Sequence, residues 1–523
     1  WVWSTVSMDA THNLPTEQVL RPPAKAFGFQ HLQTNKTVSC DAVIIGAGPG
    51  GGSVAKVLSE AGLSVWVIES GPAQSRFKKN YAHTARYHMQ ENGTIVASGS
   101  TMMPIAAGKG VGGSTLINSA LSFRAPEKVL ERWETELNDP RWGPQSLNPL
   151  FDDISKLIGV QTTGAHIAGK NNELIVRGIQ SLGLEGGLAP RSTPGCVGCG
   201  VCYYGCPSGG KASTNLTLLA RACEAGTQIQ AEAEVKDILI EGNKAVGIKA
   251  QAIDPETGAL GGVLTVRAKK VYLCAGAIGS PKLLWLSGLA SSLSPAVGKH
   301  LHVHPGSTLI GICDEPIEMW KGATQGAYFH HPDLPGVLPH TFSAPPEACL
   351  LAAGYTGSHF QEGLAILPKL CGMLVMVSDK GEGTVRAYSD GRAKVSYYFD
   401  DDDIRRIKSG LIEVAKVLFA GGAKRIRAPI YGFGEHSSIS SIQENLHTKS
   451  ITDFTLYAAH PMSTCRMGTS AENSVISSEG ECHRINGLYI ADASIFPSSL
   501  GVNPQLSTMV CATQVATLSL GKF

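Results

Sequence analysis

Four cysteines fall within eleven residues: Cys196, Cys199, Cys202 and Cys206, with Pro207 directly after. Their spacing, C-x2-C-x2-C-x3-C-P, is that of bacterial iron–sulfur runs. Thiolates are soft ligands that suit iron–sulfur cores, and glycines between them let a short backbone wrap a cluster. Three occupants are open at this level. An iron–sulfur cluster fits the spacing best. Zinc usually takes two separated C-x-x-C hairpins. The third reading is no metal at all. In two-cluster proteins the fourth cysteine of such a run ligates the other cluster, and this chain has no second run. A lone cluster is then 3Fe-4S, or 4Fe-4S completed by a remote cysteine. Cys206 is the ligand it can spare.

A second motif binds phosphates. Gly46-Ala-Gly48-Pro-Gly-Gly51 fits G-x-G-x-x-G, follows the apolar run Asp41 to Ile45 and precedes a helical stretch, Ser53 to Ala61. Gly46 serves the tight turn, Gly48 lets backbone approach a pyrophosphate, and Gly51 lets helix and strand pack closely. The helix N-terminus then faces the phosphates. Glu69 ends the next strand, Leu63 to Ile68, where a carboxylate accepts hydrogen bonds from ribose hydroxyls. This β-α-β unit predicts dinucleotide binding but does not separate FAD from NAD.

Three further segments carry a family resemblance. Gly108 to Asn118, with Gly112, Gly113 and Ser114, resembles the flavin-contacting loop of the glucose–methanol–choline oxidoreductases. Cys274 to Leu284, with Ala277, is similar to their second signature. Gly487 to Pro504, with Asp492 and Asn503, is similar to their C-terminal one. The Cys196 run followed by Gly209 to Thr214 most resembles the branch of long-chain fatty alcohol oxidases and related bacterial dehydrogenases. The resemblance implies FAD as cofactor, with Gly112, Gly113, Ser114, Asn118, Ala277, Asp492, Asn503 and Pro504 beside it. It also implies that His460, in His-Pro-Met-Ser-Thr-Cys-Arg-Met-Gly, pairs with Asn503 at the active site. Those residue types suit alcohol oxidation. Imidazole can take the hydroxyl proton near neutral pH while hydride leaves the same carbon. An amide can orient the hydroxyl and stabilise alkoxide charge. His300, His302 and His304 alternate as on one strand face, but their segment matches a structural stretch of the family, so no metal is expected there.

These residues need elements to position them. The chain has 523 residues, of which 43% are hydrophobic and 17% charged, enough for two or more cores. Net charge is +1, so no global field favours nucleic acid, and no apolar stretch is long enough for an integral membrane segment. The 13 cysteines are odd in number and four are clustered, which is no disulfide framework. A reducing, cytoplasmic compartment is expected, or a periplasmic one after export of folded protein. The fold class expected is α/β: a discontinuous Rossmann-like FAD-binding domain with an antiparallel-sheet substrate domain. Its divisions are an arm over 1–38, FAD-binding parts over 39–125, 191–300 (with the cysteine run) and 451–523, substrate-side helices over 126–190, and a substrate-binding domain over 301–450. Residues 230–275 and 385–400 alternate like strands, and Asp401 to Ala420 reads as an amphipathic helix whose acidic opening, Asp400 to Asp403, is a solvated cap.

The function expected is oxidation of a bulky or apolar alcohol by hydride transfer to FAD. Electrons then leave through the cluster to a cytochrome, quinone or other acceptor. If the cysteines are structural, oxygen takes the electrons instead. A third reading is a non-oxidising flavoprotein of the same fold, a lyase or photodecarboxylase; His460 with Asn503 speaks against it.

Overall fold

The Ala-Val-Ile-Ile run before Gly46 is the inner end of a ten-residue strand, Lys36–Ile45, and all four of its residues are buried. Continuous burial is what a strand in a parallel sheet, covered on both faces, requires. Three of the strand's residues, 36 to 38, fall inside the expected arm. Its outer half is exposed and polar, so it gives no apolar signal. The computed structural model describes residues 17–20, 25–78 and 80–523; residues 1–16 and 21–24 of the arm lie outside that description.

Around this strand the main sheet runs, in space, Ala233–Glu241, Lys244–Ile253, Leu260–Leu273, Lys36–Ile45, Val65–Ile68, Gln228–Gln230 and Ala26–Phe27. The first three form an antiparallel meander. From Leu260–Leu273 onward every neighbour is parallel, and Leu488–Ile490 adds a parallel strand on Val271 to Leu273. Leu260–Leu273 therefore serves both halves. The helices Pro49–Glu60 and Gln505–Leu520 pack against each other, with Val54, Ala55, Met509 and Ala512 in one core with Val43 and Val271. This is the expected α/β dinucleotide-binding unit, built from separated stretches of chain.

A second sheet is antiparallel and has seven strands: Glu435–His436, Arg425–Arg427, Gly306–Ile312, Leu370–Val377, Val337–Thr341, Ala327–His330 and Glu185–Leu188. The last strand comes from the stretch read as substrate-side helices. Glu-Gly-Gly-Leu carries no apolar alternation to announce it. Asp401–Gly421 packs on this sheet beside Lys170–Ser181. Asp400 caps the long helix by accepting from the Asp402 amide. Asp403 corrects the solvated-cap reading. It is fully buried, accepts from the Lys380 and Gly381 amides, and pairs with Arg406. Among the described residues no helix is long and apolar enough to cross a membrane.

Candidate active site

The glycine turn is shaped by contact rather than by flexibility alone. Gly46 sits at φ +104°, and a Cβ at Gly51 would stand 1.9 Å from the Gly46 carbonyl oxygen. Helix Pro49–Glu60 can therefore begin directly at the strand end. Gly48 is its N-cap and offers no side chain to the first amides, which leaves them for a ligand. The Gly112 amide donates to the Ala47 carbonyl at 2.9 Å, and Ser114 Oγ accepts from the Gly108 amide. Gly113 lies directly against Gly48. Glu69 is buried, and its carboxylate accepts from the amides of Ala47, Gly71 and Gly110 at 2.8, 2.8 and 3.0 Å. It thus knits the glycine turn to the 108–118 loop. Oε2 takes one of these bonds and keeps a lone pair for a hydroxyl.

The other expected cofactor residues join the same neighbourhood through hydrogen bonds. Asp492, its carboxyl pushed up by burial, accepts from the Gly276 amide, Ser280 Oγ and the Ser494 amide. It secures the helix Gly276–Leu286, which carries Ala277. The Ala277 carbonyl accepts from Thr464 Oγ1, four residues beyond His460. The Asn118 amide donates to Gln505, one residue after Pro504. The residues present fit a dinucleotide: free helix-start amides, a carboxylate at the strand end and a glycine surface with no side chains in the way.

His460 and Asn503 come together as expected, with Asn503 Nδ2 3.0 Å from His460 Nε2. Asn503 is buried and its Oδ1 has no partner among the described residues. His304 stands behind His460, with the two Nδ1 atoms 3.4 Å apart, and its Nε2 accepts from the Gly501 amide at 2.9 Å. Burial holds His304 down to about 4; burial, with His304 and His340 nearby, holds His460 well below the ordinary imidazole value. Both rings are therefore neutral at neutral pH. His304 and Ser463 adopt left-handed backbone, at φ +50° and +72°. Such strain in non-glycine residues collects at functional sites.

The three alternating histidines do not share a face. His300 meets Glu382 at 3.0 Å, His302 meets Asp379 at 3.6 Å, and His304 meets His460. Left-handed backbone at His300 and His304 breaks the strand alternation. Sequence reasoning placed His304 in a structural stretch and missed its contact with His460. It also missed His340, whose buried Nε2 has no partner among the described residues and which burial pushes down to about 4. A histidine inside the buried strand Val337–Thr341 carries no local signal of a role.

The four cysteines of the run line one small pocket with Thr193, Lys211, Gly322 and Ala323. Cys206 is with the other three, not set apart. All are free thiols. Among the described residues no three His, Cys, Asp or Glu side chains converge on a single ion. Backbone amides already point at sulfur, Gly198 at Cys196 and Lys211 at Cys206, and Arg191 Nη2 donates to Cys202 Sγ at 3.5 Å. Burial pushes the Cys199 thiol up to about 12, whereas at Cys202 burial is outweighed by Arg191 and Lys211 and the thiol is lowered. Thiols with amides donating to sulfur are the donor types an iron–sulfur core takes.

Fold and site together define an α/β oxidoreductase with a dinucleotide cradle beside a histidine–asparagine pair. Residues 85–306 and 379–512 match the two GMC oxidoreductase family models, and the chain belongs to that family. An uncharacterised GMC-type oxidoreductase of Mycobacterium tuberculosis is 33% identical over 96% of this chain and 79% of its own. A long-chain-alcohol oxidase of Arabidopsis thaliana is 28% identical over 91% of this chain and 68% of its own. Among solved structures, pyridoxine 4-oxidase from Mesorbium loti covers 91% of this chain and 98% of its own, with TM-score 0.68 and 18% identity. A formate oxidase variant of Aspergillus oryzae covers 94% and 99%, with TM-score 0.70 and 16% identity. At those identities the structures speak for the fold.

Proposed function

We propose that this chain is an FAD-dependent oxidoreductase acting on the CH–OH group of a bulky or apolar alcohol. When bound, FAD supplies the acceptor for the hydride of the carbinol carbon. Gly46, Gly48, Gly51, Glu69, Gly112, Gly113 and Ser114 would hold its phosphates and ribose, with Asn118, Ala277, Asp492 and Pro504 around the remainder. The observation that carries the reading is the 3.0 Å His460–Asn503 pair, neutral and beside that cradle. Neutral His460 can take the hydroxyl proton at Nε2, and the Asn503 amide can hold the oxygen as charge develops on it. The likeness to long-chain-alcohol oxidases supports a bulky, apolar alcohol. Retention of the pair supports oxidation over a lyase or photodecarboxylase role.

For the electrons, we propose an iron–sulfur cluster on Cys196, Cys199, Cys202 and Cys206, delivering single electrons to a cytochrome, quinone or other carrier. The spacing and the shared pocket support it. The alternative is direct reduction of oxygen, with structural cysteines. Flavin bleaching by a long-chain alcohol, anaerobically and in the dark, tests the first proposal; no bleaching with any alcohol sinks it. Cys199→Ser or Cys202→Ser should leave that bleaching intact while turnover with a one-electron acceptor collapses. Full turnover by iron-free protein, purified anaerobically, would overturn the cluster.

One observation favours a second reading of His460. The Gly501 amide and the Asn503 amide N–H point at imidazole nitrogens from opposite ends of the His304–His460 pair. Two neutral rings cannot accept at both ends and still share a bond between them. Turning Asn503 so that its unpartnered Oδ1 faces Nε2 resolves the conflict and puts the His460 proton on Nε2. His460 then meets the substrate oxygen as a donor. His460→Gln can donate but cannot act as a base. A variant within about tenfold of wild-type flavin reduction favours the donor reading, and a loss on the order of 10²-fold or more favours the base.

A further inference from the structure

Two basic side chains are buried at the cysteine pocket. Arg191 is 0% exposed; its Nε donates to the Ser119 carbonyl, its Nη2 to Cys202 Sγ, and its Nη1 has no partner among the described residues. Lys211 is 2% exposed; its Nζ donates to the carbonyls of Leu116 and Asn118, both at 2.8 Å, and of Cys202 at 3.4 Å. Among the described residues neither forms an ion pair with a carboxylate. Burying a cation is unfavourable unless negative charge lies beside it. Among the described residues lining this pocket, the groups that can supply such charge are the thiols.

An oxidised four-iron cluster on four thiolates is a dianion overall, and so is a three-iron cluster on three. The two cations match that charge. Building on the cluster proposed above, we infer that Arg191 and Lys211 are its counter-charges and set its reduction potential. One-electron reduction adds negative charge to the cluster, and two adjacent cations stabilise the reduced form more than the oxidised one. Lys211 also ties the Cys202 backbone to the loop that ends at Asn118, beside the cradle. Each oxidised alcohol yields two electrons, which would pass singly through the cluster to a one-electron carrier of the cytochrome or quinone class. Raised potential at the cluster favours both passes out of the reduced flavin.

The test is a redox titration of anaerobically purified holoenzyme, followed by electron paramagnetic resonance, with iron, sulfide and zinc analysis. Wild type is compared with Lys211→Met, Arg191→Gln, and the charge-keeping Lys211→Arg and Arg191→Lys. In the neutral variants the midpoint should move negative by at least a tenfold change in oxidised-to-reduced ratio, about 59 mV for one electron. The charge-keeping variants should stay near wild type. Cluster loss in the neutral variants alone also supports the inference, because charge and not shape then decides retention. A wild-type midpoint in both neutral variants, or equal cluster loss in all four, overturns it. Wild type that holds zinc, or no iron and sulfide, sinks the underlying cluster reading instead.

Discussion

His460→Ala should slow anaerobic flavin reduction by roughly 10²–10⁴-fold, and Asn503→Ala by about 10²-fold, with FAD retained in both. Stopped-flow reduction by a long-chain alcohol measures this, and a wild-type rate in the histidine variant removes it from the mechanism. Acid sensitivity should also originate at this scale. His304 and His340 have folded values of about 4, against an ordinary value of 6.5. Between those values the unfolded chain binds protons that the folded chain does not. Their contribution is therefore intact above pH 6.5 and is lost as pH falls towards 4, by about 3 kcal/mol each at the limit. Thermal melts should fall across that window, and His340→Gln should show a shallower fall than wild type. Equal slopes would place the acid sensitivity elsewhere.

At the scale of elements, the acidic opening of Asp401–Gly421 holds two kinds of aspartate. Asp400→Ala removes a helix cap and should cost about 1 kcal/mol. Asp403→Ala strands the Lys380 and Gly381 amides and Arg406, and should cost about 3 kcal/mol. Denaturant midpoints would rank the two, and the opposite order would refute the buried reading of Asp403. From sequence both look alike, because a run of four acids gives no sign of which one turns inward. The same limit explains what else was legible. Gly46 to Gly51 and the strand before them announce themselves by local spacing and continuous apolarity. His460 and Asn503 stand in ordered motifs. The significance of Lys211 lies in carbonyls more than ninety residues earlier in the chain, and that of His304 in a ring 156 positions later. No local pattern encodes such partners. Glu69 falls between: its strand-end position was readable, but its three amide donors belong to loops that only folding assembles.

At the scale of the whole molecule, the two largest sheets among the described residues divide the site's parts between them. His340 belongs to the antiparallel sheet, while His460 and Asn503 lie on loops tied to the dinucleotide unit. The covering of that unit has a consequence for its synthesis. Leu488–Ile490 completes the parallel edge at Val271 to Leu273, and Gln505–Leu520 covers helix Pro49–Glu60. A ribosome moving at about 5–20 residues per second makes the glycine turn tens of seconds before those partners emerge. Through that interval an apolar helix face and an unpaired strand edge wait uncovered, which invites chaperone capture or aggregation. Flavin loading should thus be a late, post-translational event. A chain stopped after Asn486 should be recovered without flavin and largely insoluble. Soluble, flavin-loaded protein from that truncation would show that the cradle matures before its last strand arrives.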